Sequence, residues 1–394
     1  MIRTIVLSAR VEFIERAFSR PLVLSSGAIT HVTEAKAFVR VRVGEQEAEG
    51  IGSIYLSDLW GWPDPTRTHT ERDSAMRAYT ERIAAKFATL CGPPDHPLTL
   101  GLRLHQELLW DSSPIPPLAR LICAASLDAA LHDATGQALQ ASSLDLYPDF
   151  PEIQAVLRPT NHNLTAWWIV GVSDDLDTLG EGYHAFKLKL GAKDPVADAA
   201  RTATVFAAVP HARLAADPNC AFEHPEAVSA YLDALEHFSP EAYAALEYIE
   251  QPTARDIATY AFDWHEISAR KPVILDEGLT SFDTLELAHA QGWSGIAIKT
   301  CRGHSFALAS AARAHAYGMQ LVMQDLTNPG YAAIHSALLA SRLPVTNGIE
   351  LNAAQFTPDA NAEWLPRLDT LLAPIDGVHR VPAGPLPIGL GSQL

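Results

Sequence analysis

Cysteine, basic charge and long apolar runs are all scarce in this 394-residue chain, and each scarcity removes a class of protein. The four cysteines, Cys91, Cys123, Cys220 and Cys301, lie far apart without a CxxC pair. That leaves no disulfide framework and no zinc knuckle, and it suits a reducing cytoplasm. Lys and Arg together number 29 against 46 Asp and Glu, a net charge of −17. Such a surface repels nucleic-acid phosphates and anionic lipid headgroups, so neither a nucleic acid nor a membrane is expected as a partner. No run approaches the roughly 20 apolar residues of a membrane span, and the start as far as Phe13 alternates apolar and polar residues instead of forming a signal-like apolar stretch. Also missing are the GxGxxG and Walker phosphate loops, the GxSxG elbow and the HExxH helix. What remains is ordinary globular usage, 48% hydrophobic and 19% charged, in a chain long enough for one large domain or two smaller ones.

Apolar residues first alternate along the chain and later recur in short blocks. Phe38, Val39, Val41 and Val43 largely alternate with Arg40 and Arg42, which predicts a half-buried strand over Lys36–Val43 and a hairpin turn over Gly44–Gly50. Helices are expected at Ser74–Leu90, Leu98–Trp110 and Pro117–Leu139. From Ile153 onward there are eight short apolar runs, each followed by a segment of helix length: Gln154–Leu157, Ala185–Leu190, Arg213–Ala216, Tyr248–Glu250, Val273–Leu275, Gly295–Ile298, Gln320–Met323 and Gly348–Leu351. That count and length predict an α/β fold, a (β/α)₈ barrel of the TIM type. An open doubly wound sheet is the alternative, with no phosphate loop to support it. The expected organisation is an α+β capping domain over residues 1–135, the barrel over 136–370, and a segment over 371–394, rich in Gly and Pro, that packs back on the capping domain.

Catalytic groups of such barrels lie at the C-terminal ends of the strands, so the polar residues that close each run carry the functional information. They are Lys187 and Lys189, Asp217, Glu250, Asp276, Lys299, Asp325 and Glu350; from Lys189 onward the spacings are 28, 33, 26, 23, 26 and 25 residues, one βα unit each. Three acids on successive strand ends form an all-oxygen cluster that would be costly in a dry pocket without a hard cation between them. Mg²⁺ fits that set, and Mn²⁺ is the alternative cofactor. Helix capping or pairing with a rim arginine is the bland reading of any one acid. The lysines carry more weight, because the chain has only seven and three of them sit in or at the end of apolar strands. Lys187 and Lys189 are two apart and face one side. A lysine beside a second lysine and a divalent cation is expected to have a lowered pKa, which makes it a usable base.

These residues resemble the enolase superfamily, in its mandelate racemase and muconate lactonizing enzyme group, and specifically the branch with a lysine on each side of the substrate. The matching pieces are Lys-Leu-Lys at 187–189, Asp-Pro-Asn at 217–219, Ile-Glu-Gln-Pro at 249–252, Leu-Asp-Glu at 275–277 and Ile-Lys at 298–299. The helix around Asp128 and Asp133 and the tail Gly384–Gly391 are similar to the family as well. The resemblance implies Mg²⁺ on Asp217, Glu250 and Asp276, acid/base roles for Lys189 and Lys299, and Lys187 against the substrate carboxylate, with Asn219 and Glu277 supporting the ligands. It also implies abstraction of the α-proton of a small-molecule carboxylate through a metal-stabilised enediolate, giving racemisation, epimerisation or cycloisomerisation. For this superfamily a Lys or His base with Mg²⁺ is the general pattern.

The chain also departs from that pattern. Thr300–His304 stands where a Gly-Gly pair is usual, and the seventh run lacks the His of the racemase branch. Substrate-facing candidates are Arg302, Asp325, Asn328, Glu350 and Asn352, with His31 and Trp60 from two capping segments, Ser25–His31 and Leu56–Trp62, that match the family's specificity loops. Trp62 shares the second segment. The remaining histidines are scattered and read as solvated or as helix caps. Two other reactions keep the same residues: loss of water from a hydroxy or sugar acid, and a Schiff-base aldolase using Lys189 or Lys299. A catalytically silent binding protein would keep the scaffold alone. A homo-oligomer is expected.

Overall fold

The computed structural model describes every residue except Met1, Ser25, Ser26 and Pro329, together with all side chains but that of Thr178. An antiparallel sheet comes first: β1 (Thr4–Leu24), β2 (Gly27–Val43) and β3 (Gln46–Tyr55), in that order. In β2, Ala35, Ala37, Val39 and Val41 are buried while Arg40 and Arg42 face out, the alternation of a sheet with one solvated side. The hairpin turn is shorter than the polar stretch suggested. Only Gly44 and Glu45 lie outside the strands, because Gly44, at φ 61°, supplies the left-handed residue a two-residue turn favours.

Four helices follow: α1 (Asp58–Gly61), α2 (His69–Cys91), α3 (Pro97–Trp110) and α4 (Pro117–Leu139). Helix α2 begins earlier than its apolar periodicity does, since Thr68 and Glu71 form a reciprocal capping box. Helix α4 is buried from Leu118 to Ala138, which explains its Ala- and Leu-rich character on all sides. It lies against β3 at two glycines: a Cβ on Gly52 would stand 1.9 Å from the Ser126 carbonyl oxygen, and one on Gly50 2.1 Å from the Ala134 nitrogen. The Asp133 carboxylate then ties three elements together. It accepts from the Ile51 amide of β3 (3.0 Å), the Leu390 amide (2.7 Å) and the Ser392 hydroxyl (2.7 Å), so the C-terminal tail lies on α4.

After α5 (Pro151–Val156) and β4 (Asn163–Thr165), seven parallel strands lie side by side in chain order, forming half of a barrel-like sheet. They are β5 (Trp168–Val170), β6 (Ala185–Lys189), β7 (Arg213–Asp217), β8 (Leu246–Glu250), β9 (Val273–Leu275), β10 (Gly295–Ile298) and β11 (Gln320–Met323). Between them run α6 (Pro195–Ala208), α7 (Pro225–Phe238), α8 (Pro240–Ala245), α9 (His265–Arg270), α10 (Phe282–Ala290) and α11 (His304–Ala316), and α12 (Gly330–Arg342) follows β11. A last strand, β12 (Val378–Arg380), pairs antiparallel with β4.

Two of the eight expected runs are not strands. Gln154–Val156 belongs to α5, where Pro151 sits in the first turn and Ile153 and Val156, three apart, bury one helical face. The strand in that place is β5, eleven residues beyond Leu157. Gly348–Leu351 makes only single-residue parallel bridges, Gln324 with Glu350 and Ala166 with Ile349. Among the described residues no helix is long and apolar enough to cross a membrane.

Period-2 geometry sets up the site. Ala185, Ala215, Tyr248, Ile274, Ala297 and Val322 form one buried apolar cluster with Trp167. Two positions further along each strand, on the same face, stand Lys187, Asp217, Glu250, Asp276, Lys299 and Gln324. The residues between them, such as Phe186, Leu188, Ile249 and Leu275, join the larger core that packs the helices.

Candidate active site

Five neighbouring strand ends present a lysine, three acids and a second lysine in spatial order: Lys189, Asp217, Glu250, Asp276, Lys299. All five are buried. Lys189 Nζ lies 2.5 Å from Asp217 Oδ2, and Lys299 Nζ 2.6 Å from Asp276 Oδ2. Lys187, one step deeper, is 1% exposed. It reaches Glu350 at 2.6 Å, Glu250 at 3.1 Å and Asp217 at 3.7 Å. Gln324 donates to Glu250, and Arg302 donates to both the side chain (2.6 Å) and the carbonyl (2.5 Å) of Asp276. Every acid of the trio is therefore matched with a cation. Among the described residues no three His, Cys, Asp or Glu side chains converge as a formed metal cage.

The charges respond to this packing. Burial alone would lower the Lys187 pKa, yet Glu250, Glu350 and Asp217 hold it well above the usual lysine value. Lys299 is raised too, with Asp276 and Glu250 outweighing burial. For Lys187, three carboxylates within 4 Å outweigh the lowering by burial. Burial opposes ionisation of Asp276 and Asp217, but Lys299 with Arg302, and Lys189 with Lys187, hold the two carboxyls below their ordinary range. Glu250 goes the other way: burial, with repulsion from Asp217 and Asp276, pushes it up to about 8 despite Lys187.

A stability test follows for the metal-free protein. From Glu250's ordinary 4.5 up to about 8 the folded protein keeps a proton that the unfolded chain has released, so this group's contribution to stability falls as pH rises through that window. Glu250→Gln cannot titrate. Its stability should fall less between pH 5 and 8 than that of the wild type, by at least about 1.4 kcal/mol, the equivalent of one pKa unit. Parallel stability curves for the two proteins, from urea melts across that range, would refute the assignment.

The supporting residues fall into place unevenly. Asn219 donates to Asp217 (3.2 Å) and to Glu277 (3.2 Å), while Glu277 Oε2 is buried with no hydrogen-bond partner among the described residues. Asp325 is buried, its carboxyl raised far above normal by burial and by Glu350, and its Oδ2 also has no hydrogen-bond partner among the described residues. Asn352 donates to Glu350 at 2.9 Å. Asn328, fully buried, accepts from the Tyr55 amide of β3 (2.8 Å), and Arg302 is spent on Asp276. Trp60 covers Lys299, whose Nζ lies 4.5 Å from its ring centroid. His31 is exposed on β2, with Thr30 as its hydrogen-bond neighbour, so it stands apart from the cluster. Ser25 and Ser26 of the same capping segment lie outside the described residues.

Gln324 closes the seventh run, a stretch that faces substrate by the sequence reading, and its donation to Glu250 joins it to the cluster. Two participants escaped the sequence reading. One is Arg255, which donates to the Trp60 carbonyl (3.0 Å) and so joins the loop after β8 to the capping segment. The other is the histidine set: His132, His304 and His335 are neither solvated nor capping but fully buried, whereas His96 does cap α3. A cavity of about 260 Å³ opens beside Asn219 and Glu277, walled by Leu24, Trp60, Pro63 and Ala254, with Arg255 at its edge.

Comparison with known proteins gives the family of the chain. Residues 173–394, more than half of the chain, match the family described as enolase C-terminal domain-like. Muconate cycloisomerase 1 of Rhodococcus opacus is 28% identical over 287 residues, 68% of this chain and 69% of the relative. Among solved structures, a muconate lactonizing enzyme from Pseudomonas fluorescens, complexed with muconolactone, superposes with a TM-score of 0.71 at 20% identity, covering 98% of this chain and 96% of that one. A dipeptide epimerase from Enterococcus faecalis, complexed with Mg and L-Leu-L-Tyr, gives 0.68 at 17% identity, with 98% and 99% covered. The chain belongs to the enolase superfamily, in its mandelate racemase and muconate lactonizing enzyme group.

Proposed function

We propose that this protein is an isomerase of the two-lysine kind, one that removes the α-proton of a carboxylate substrate and returns a proton elsewhere, by racemisation, epimerisation or cycloisomerisation. The observation that carries the reading is the order lysine, acid, acid, acid, lysine across adjacent strand ends. A carboxylate lying over the three acids would present one face of its α-carbon to Lys189 and the other to Lys299. One lysine, as the free amine, takes the proton; the other, as the ammonium, returns it. Lys187 supplies fixed positive charge beneath them. Its three carboxylate partners keep it protonated, which suits charge stabilisation and not proton transfer.

The donor set fits a hard cation. It consists of carboxylate oxygens, Glu277 Oε2 is buried beside Asn219 with no hydrogen-bond partner among the described residues, and burial together with crowding by its two neighbours pushes Glu250 up. Asp217, Glu250 and Asp276 would hold Mg²⁺, with Mn²⁺ the alternative, and the ion would neutralise the substrate carboxylate as it gains a second negative charge. The lysines now on Asp217 and Asp276 would then be released toward substrate. The cavity beside Trp60 and Leu24 takes the rest of the molecule, an apolar group with Arg255 in reach of a polar or anionic end. This reading includes a closed eight-membered barrel, with the bridges at Ala166, Ile349 and Glu350 completing the sheet, and a capping unit over residues 1–135.

Thermal melts with added metal test the cation. At Mg²⁺ 100-fold above its Kd the wild type should gain about 2.7 kcal/mol, and Asp217→Ala should gain none. Identical melting of both proteins with and without millimolar Mg²⁺ would overturn the site.

A further inference from the structure

A second set of buried polar side chains, outside the lysine and acid cluster, forms an unbroken line from α12 to α4. His335 Nε2 lies 2.8 Å from His304 Nδ1, and His304 Nε2 lies 2.9 Å from the Tyr147 hydroxyl. That hydroxyl lies 3.2 Å from His132 Nδ1, and His132 Nε2 lies 2.8 Å from the Ser305 hydroxyl, which donates to Asp128 Oδ1 at 2.8 Å. All six residues are at most 3% exposed. Burial lowers the pKa of His132 and His304 far below normal and that of His335 to about 3, so all three rings are neutral.

Neutral rings have one donor and one acceptor nitrogen each, and a carboxylate only accepts. With the Ser305 proton committed to Asp128, its oxygen accepts from His132 Nε2–H. His132 Nδ1 must then accept from Tyr147, the Tyr147 oxygen accepts from His304 Nε2–H, and His304 Nδ1 accepts from His335 Nε2–H. The five bonds have a single sense, ending on Asp128.

This line grips the segment that follows Lys299. Ser305 also gives its amide to Asp128 Oδ2 (2.8 Å), and Thr300 meets Ser336 of α12 at 2.9 Å. Gly303, at φ 93°, lies so close that a Cβ would stand 2.8 Å from Asp128 Oδ2, and a Cβ on Gly101 would stand 2.1 Å from Oδ1. Between the two anchors lies Arg302, which holds Asp276. We propose that the Asp128 carboxylate fixes the Nε2–H tautomers of His132, His304 and His335 together, and that this single-sense line positions the Lys299–Ser305 segment. Asp128 acts through other residues and is a positioning residue. The inference stands whether or not the reaction proposed above is the right one.

Nitrogen-15 NMR of the histidine-labelled full chain at pH 8, where Asp128, pushed up by burial to about 6, is ionised, reads the tautomers directly. All three rings should be Nε2–H. In Asp128→Asn the amide oxygen can still accept from the Ser305 amide, but its NH₂ now faces the Ser305 hydroxyl, so the line reverses and the three rings become Nδ1–H. Mixed tautomers in the wild type, or unchanged Nε2–H in a folded Asp128→Asn, would overturn the assignment. If Asp128→Asn does not fold, Tyr147→Phe decides. It cuts the line midway, and amide exchange at Arg302–Ser305 should rise about tenfold, the equivalent of one lost hydrogen bond. Unchanged exchange there would remove the positioning role.

Discussion

Lys299→Met should lower turnover by about 10²–10⁴-fold, the usual contribution of a positioned acid or base, and should leave α-proton exchange in D₂O for only one enantiomer or epimer. Lys189→Met should spare the opposite one. The prediction follows from the two lysines standing on β6 and β10 with three acid-bearing strands between them. A surviving lysine still serves its own face of the α-carbon, so half of the exchange persists while interconversion stops. Methionine suits the test because it nearly matches the length of the lysine stem without its charge. Asp276 keeps Arg302 as a partner when Lys299 is gone, so the fold should hold. Exchange lost for both stereoisomers in both variants would mean that one face does all the chemistry, as in elimination of water.

Asp276→Ala should destabilise the metal-free protein by about 3–5 kcal/mol, the usual effect of removing one partner from a buried ion pair. Crowding among three acids alone would predict the reverse, because deleting one like charge relieves repulsion. The geometry decides between them. Asp276 lies 2.6 Å from both Lys299 and Arg302, and both cations are buried, so alanine strands two charges. Urea unfolding measures the difference. Lys187, by contrast, still has Glu350 at 2.6 Å if Glu250 is neutralised, so Glu250→Gln should be the milder change. A metal-free Asp276→Ala as stable as the wild type would show that the ion pairs at this strand end contribute little.

Much of this was legible from sequence because parallel strands buried on both faces read as short apolar blocks, and a polar residue closing such a block has few structural reasons to be there. Six of the eight blocks are strands, and the polar residues that close the first five of these, Lys189, Asp217, Glu250, Asp276 and Lys299, meet in one cluster with Lys187. The first block failed because Ile153 and Val156 are as compatible with a short helix as with a strand, and the true strand, Trp168–Val170, is three residues long. The direction of the lysine shifts was not legible, since it depends on how many carboxylates lie within a few ångströms. Glu350 reaches Lys187 from 163 positions away. The histidine line was invisible for the same reason: residues 132, 147, 304 and 335 carry no common spacing, and only the packing of α4, α11 and α12 brings them together.

Solvent-deuterium incorporation at the α-carbon is the measurement closest to the central claim. The wild-type protein, incubated in D₂O with dipeptides and with muconolactone, compounds bound by its structural relatives, should wash deuterium into at least one of them when Mg²⁺ is present, and the exchange should stop on chelation and return with Mg²⁺ or Mn²⁺. Exchange that survives chelation would contradict the account, and so would a protein inert in exchange whose Lys189 or Lys299 is trapped by borohydride as a Schiff base.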